Sequence, residues 1–121
     1  KDVNYGGDGP YRAGMAEYAY PGDQPADTFA LEGAWDVQTQ YATPSGAGAA
    51  SIRLRYHAAE VRMVLAGSGQ VRVRSADGAE QTLDVSGTPR SYALIDGEGV
   101  REGELTVAVD PGVHVYSFTF G

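Results

Sequence analysis

The side chains able to do chemistry in this 121-residue chain are few in kind: two histidines, sixteen carboxylates, nine basic residues and no cysteine. Without Cys, the segment carries no thiol chemistry and no thiolate zinc site. His57 and His114 stand far apart with no partner at metal-ligand spacing, so both are expected to be ordinary hydrogen-bonding residues. Asp and backbone oxygens would suit calcium, but no DxDxDG-like spacing occurs, and neither a metal nor another cofactor is expected. There is no GxSxG elbow, phosphate-binding loop, HExxH or dinucleotide fingerprint, and GEGVREG, Gly97 to Gly103, has the wrong glycine spacing and reads as a loop. A glycosidase pair needs only two acids about 5 to 10 Å apart, which sequence spacing does not locate. Most of the acids adjoin Gly or Pro, in turns where solvated carboxylates belong. This segment is therefore read as non-catalytic.

Aromatic residues offer a different chemistry. Sugar-binding proteins set Trp or Tyr rings against the C–H faces of pyranoses and surround them with groups that hydrogen-bond hydroxyls. In LEGAWDVQTQYAT, Trp35 and Tyr41 sit near predicted strand ends with Asp36, Gln38 and Gln40 between them; His57 ends a predicted strand, and Arg90 and Tyr92 begin another. Trp35, Tyr41, His57, Arg90 and Tyr92 are thus the candidate carbohydrate-binding residues. Each has a structural alternative: Trp35 as a core plug, Tyr92 as an inward-facing strand residue, His57 as a turn cap.

The basic residues cluster. Arg53, Arg55, Arg62, Arg72 and Arg74 fall on three successive predicted strands, mostly with outward parity. Cross-strand pairing with Glu80, Asp84, Glu102 or Glu104 is the expected arrangement; the sharper alternative is a cationic stripe that docks an acidic domain or an anionic glycan. The net charge of −7 argues against a nucleic-acid partner. No apolar run approaches the ~20 residues of a membrane span, so no direct insertion of this segment is expected. KDVNYGG, with no initial Met, reads as a piece of something longer.

The elements that would position these residues are strands. Residues 1–27 form a lead-in rich in Gly, Pro, Asp and Tyr, with a short strand predicted over Met15–Tyr20. From residue 28 to 121 alternation is cleaner. Ile52, Leu54 and Tyr56 share one face and Arg53 and Arg55 the other; Glu60–Ala66, QVRVRSA, EQTLDV, RSYALID, GELTVAVD and HVYSFTF follow. Asp77-Gly78 predicts a tight hairpin and Asp110-Pro111-Gly112 a turn. The last strand is expected to send Tyr116, Phe118 and Phe120 into the core. About eight or nine short strands and no helix imply an all-β antiparallel sandwich of jelly-roll type.

The segments YPGDQPADTFALEGAW, YHAAEVRMVLAGSGQVRV and PGVHVYSFTFG, together with KDVNYGG, resemble the C-terminal domain of DipZ-type membrane electron transporters of mycobacteria and related actinobacteria. The resemblance implies a carbohydrate-binding-module-like sandwich, extracytoplasmic in the cell envelope, attached to an exported thioredoxin-like domain and a membrane part resembling that of DsbD. It also implies cell-envelope carbohydrate as a partner. The alternative role is structural: docking against the adjacent thioredoxin-like domain through the arginines and the tyrosines Tyr5, Tyr11, Tyr18 and Tyr20. The Cys-x-x-Cys motif and membrane helices of such proteins are absent from these residues, so redox chemistry would belong to the parent.

Overall fold

The computed structural model describes residues 3–121; Lys1 and Asp2, the first two residues of the lead-in, lie outside the described residues. Seven strands follow one another: β1 Asn4–Tyr5, β2 Gly14–Tyr18, β3 Thr28–Val37, β4 Ala42–Pro44, β5 Ala50–Ser75, β6 Glu80–Val109 and β7 Val113–Phe120. No helix occurs among the described residues, and thus none long and apolar enough to cross a membrane. The all-β expectation holds, but the sheet is mixed: β1 runs parallel to β3, and the other pairs are antiparallel.

The strands are fewer and longer than their sequence signals. Three predicted strands join in β5 and three more in β6, because the breaks between them are bends rather than reversals. Gly67 and Gly69 stand at positive φ (98° and 153°) inside β5, and the β5–β6 register slips between Ala58 and Glu60 and again between Leu65 and Gly67. Gly97–Gly103, read from sequence as a loop, is part of β6, exposed through Glu102 and half-buried at Gly103. Both predicted turns are present. Gly78 (φ 93°) turns β5 into β6, with the Ala79 N–H donating to the Asp77 carboxylate at 3.0 Å. Gly112 (φ 98°) turns β6 into β7.

Bending lets one ladder fold over on itself. β5 pairs through Ser51–Arg55 with β3, through Val61–Gly67 with β7, and at both ends with the same Leu105–Val109 segment of β6. β3 in turn pairs with β4, and β4 with β7, so hydrogen bonding runs around a ring β3–β4–β7–β5–β3. The enclosed side chains form one core, with Leu31, Trp35, Ile52, Leu54, Met63 and Phe120 among its largest members. Ile52, Leu54 and Tyr56 all face it, as their alternation predicts.

The first half of β3 is buried on both faces, which a half-exposed strand is not. Ala30 is as closed to water as Leu31. The cover comes from the 20–27 loop, which the β5 arginines clamp. Arg53 donates from Nε to the Gln24 side-chain oxygen at 2.8 Å and from Nη2 to the Pro21 carbonyl at 2.8 Å, with its guanidinium 4.6 Å from the Tyr20 ring centre. Arg55 donates to the Gln24 carbonyl at 2.7 Å. Charge-assisted bonds of this kind contribute about 1.5 to 3 kcal/mol each when partly buried.

The remaining arginines of the stripe are also engaged. Arg74 meets Glu80 at 2.9 Å, a pairing the sequence suggests, and Arg62 donates to the Ser91 hydroxyl at 2.7 Å. Arg72 takes Asp110 instead of any of the expected acids, at 2.8 Å. Asp110 also accepts the Gln70 N–H at 3.0 Å, so it fastens the β6–β7 turn to the bend in β5.

The hydrogen bond from Arg72, then that from the Gln70 backbone, holds the Asp110 carboxyl below its usual range. A carboxylate whose folded pKa is depressed stabilises the fold fully above its unfolded pKa, and that stabilisation is lost as pH falls through the folded value. Asp110→Asn is therefore expected to be less stable than the parent at neutral pH, with the difference shrinking as the pH falls through and below the ordinary carboxylate range. Urea unfolding at a series of pH values checks this. A difference that stays constant down to the acid limit would count against the assignment.

Candidate functional site

The site begins with the shortness of β4. Its hairpin with β3 closes through the Gln38 N–H donating to the Tyr41 carbonyl at 2.7 Å, and the strand ends at Pro44, which has no N–H for a ladder. Among the described residues β4 consequently pairs in register with β7 only at Ala42 opposite Val115, with the Thr43 hydroxyl donating to the Val113 carbonyl at 2.7 Å. Beyond Val115, β7 has β5 along one edge, and no strand pairing among the described residues covers the other. β1, on the far side of the gap, pairs only with β3 among the described residues.

A cleft of about 600 Å³ opens in this seam. Its floor is core: Leu31, Trp35 and Ile52, with side chains closed to water. Phe29, Tyr11, Tyr116 and Phe118 line its walls, with Asn4, Ser117 and Thr119 supplying polar groups. The walls brace one another. Phe29 packs on Phe118 with ring centres 4.9 Å apart and on Tyr11 edge-on at 5.3 Å; Tyr11 stacks on Tyr5 at 5.0 Å. Burial, and then the neighbouring Tyr18, pushes the Tyr11 phenol above its ordinary pKa, so it stays a neutral donor into the alkaline range.

A β-bulge shapes the β7 wall. Ser117 faces Val64 and Val115 faces Leu65, leaving Tyr116 as the extra residue. Inward parity therefore passes from Val113 and Val115 to Phe118 and Phe120 across the bulge. Phe120 is buried and Phe118 half-buried against the core, but Tyr116 is not the core residue that unbroken alternation predicts. It is half-buried and leans toward Tyr41, 5.5 Å between ring centres. Tyr41 stacks on His114 at 4.2 Å and 15°. The result is a row of three half-buried rings running outward from the cleft's rim.

Of the five candidate residues read from sequence, only Tyr41 joins this row. Trp35 takes the core side of its two readings: it is 0% exposed, and its Nε1 donates to the Glu32 carbonyl at 3.1 Å, so no ring face is open to stack on a sugar. His57 is exposed in mid-β5 opposite Glu102, away from any strand end, and its N–H donates to Asp27 at 3.2 Å. Arg90 and Tyr92 lie in mid-β6 opposite Leu65 and Met63; Tyr92 packs against the core, and neither lines the cleft. The residues that do line it, Asn4, Tyr11, Tyr116, Ser117 and Thr119, carry no mutual spacing signal. Only the bulge and the short β4 bring them together.

No group of three or more His, Asp or Glu that could hold a metal occurs among the described residues. The chain's likeness to known proteins is extensive. A family model described as "Thioredoxin like C-terminal domain" matches residues 1–121. The chain belongs to this family. It is 41% identical over 121 residues to Protein DipZ of Mycobacterium bovis (strain ATCC BAA-935 / AF2122/97). The identity to Protein DipZ of Mycobacterium tuberculosis (strain CDC 1551 / Oshkosh) is the same, 41% over 121 residues. Each match covers all of this chain and 17% of the relative, so the chain corresponds to one part of a much longer protein there. The DipZ-type resemblance read from the sequence is thereby shown. The segment itself contains no cysteine.

Proposed function

We propose that this chain is a non-catalytic carbohydrate-binding module of an extracytoplasmic thiol–disulfide electron-transfer protein, and that it holds glycan in the cleft between β1 and β7. The observation that carries the reading is that cleft: about 600 Å³, walled by aromatic rings and edged by an amide and hydroxyls. That is the composition a pocket for a ligand with apolar faces and polar edges requires. The folded-over ladder is read as the jelly-roll-type sandwich of carbohydrate-binding modules. Membership in the family and the DipZ relatives support a thioredoxin-like neighbour in the same polypeptide and a place in the cell envelope. The module would keep that redox domain near envelope glycans. Docking against the neighbour through the arginines and lead-in tyrosines is the less supported role, because within this chain the arginines already hold the 20–27 loop, Asp110 and Glu80, and Tyr5 and Tyr11 already stack.

A glycan array followed by calorimetry on the chain tests the proposal. At least one neutral envelope polysaccharide is expected to bind, and Tyr116→Ala is expected to weaken it about tenfold, roughly 1.4 kcal/mol. Because Tyr116 sits at a bulge outside the core, stability should change by less than about 1 kcal/mol. No binding to any envelope polysaccharide at millimolar concentration would overturn the reading.

A further inference from the structure

We infer that the cleft's ligand is an uncharged oligosaccharide chain that leaves the cleft over Tyr116 and continues onto the Tyr41–His114 stack. This rests on the carbohydrate reading above and adds the charge class and the length of what is bound.

The charge class follows from the lining. Among the described residues the polar groups of the cleft are the Asn4 amide, the Tyr11 and Tyr116 phenols and the Ser117 and Thr119 hydroxyls, all neutral and all able to donate. Recognition of a uronate or phosphate calls for arginine or lysine, with arginine able to clamp the anion bidentately. The five arginines of the β5 stripe are committed elsewhere, Arg53 and Arg55 to the 20–27 loop, Arg62 to Ser91, Arg72 to Asp110 and Arg74 to Glu80, and the β6 arginines Arg90 and Arg101 do not line the cleft. A net charge of −7 adds general repulsion of polyanions.

The length follows from the ring row. Tyr116 belongs to both surfaces, lining the cleft and packing 5.5 Å from Tyr41, which in turn stacks on His114 at 4.2 Å. The rings are held by one another, by strand β7 and by the β3–β4 hairpin turn, so little side-chain freedom is lost when a chain settles on them. A single sugar in the cleft would leave Tyr41 and His114 unused. A chain several units long would cover them.

The test compares the disaccharide and hexasaccharide of each of four neutral series (malto-, cello-, manno- and α-1,5-arabino-) with hexagalacturonate as the anionic arm, by calorimetry on the parent chain and on Tyr41→Ala. The hexamer of at least one neutral series is expected to bind about fivefold to tenfold more tightly than its dimer, and Tyr41→Ala should abolish that advantage by weakening the hexamer more than the dimer. Equal affinity for dimer and hexamer, or a length advantage untouched by Tyr41→Ala, overturns the extension and leaves the cleft reading standing. Preferential binding of hexagalacturonate overturns the charge class. Binding of no sugar at all overturns both readings. The dimer–hexamer comparison on the parent needs no variant, so a Tyr41→Ala chain that failed to fold would leave the length claim exposed to disproof.

Discussion

Trp35→Ala is expected to cost about 3 to 5 kcal/mol of stability, the range found when a buried large aromatic is truncated. Trp35 is 0% exposed and lies in β3 between Ala16 of β2 and Pro44 of β4, so alanine would leave a cavity among strands that backbone hydrogen bonds hold at fixed spacing. The Nε1 bond to the Glu32 carbonyl at 3.1 Å would be lost as well. Denaturant unfolding followed by far-ultraviolet circular dichroism measures the loss, since the variant has no tryptophan left to report fluorescence. A cost below about 1 kcal/mol would mean that the ring is not packed as described. Trp35→Phe should recover part of the deficit, by refilling volume, but not the hydrogen bond.

Gly67→Ala is the second large effect. Gly67 has φ 98°, where an L side chain is strained, and a Cβ built there would collide with the Gly112 carbonyl oxygen. The crowding is reciprocal: a Cβ on Gly112 would lie 2.8 Å from the Ser68 carbonyl oxygen, and the Ser68 N–H donates to Gly112 at 3.1 Å. Backbone meets backbone, so no side-chain rotation relieves the contact. The two penalties together predict a loss of about 3 kcal/mol. Gly48→Ala is the control. Its Cβ meets nothing within 4 Å, and stability should move by less than about 0.5 kcal/mol. Equal stability of the two variants would refute the close approach.

Much of the fold is written in period-two alternation and in turn residues. Ile52, Leu54 and Tyr56 face the core as their spacing requires, and Asp77-Gly78 and Asp110-Pro111-Gly112 reverse the chain where their chemistry places them. What alternation does not encode is where a strand changes direction without ending. Gly67-Ser68-Gly69 looks like a break but is a bend inside β5. The bulge at Tyr116 has no residue signature at all, so the parity of β7 read as unbroken sends that ring into the core. The candidate site was hidden for the same reason. It is made by a strand that stops early and one that slips by a residue, and both are facts about pairing partners far apart in sequence. Trp35 and Tyr41 differ by six positions and end on opposite sides of the packing problem, one the floor and one the outer rim.

The Leu105–Val109 segment has a consequence for how the chain assembles. It lies between the two ends of β5, so those ends join through a partner that comes some thirty residues or more after either of them. The entropic cost of closing such large loops comes before the contacts that reward it, which places this molecule among slow folders. Until that late piece arrives, Ile52 and Leu54 at one end and Val71 and Val73 at the other belong to strands with open edges, a state prone to pairing with a neighbouring chain. The same late insertion closes the fold when it succeeds, locking both ends in a single step.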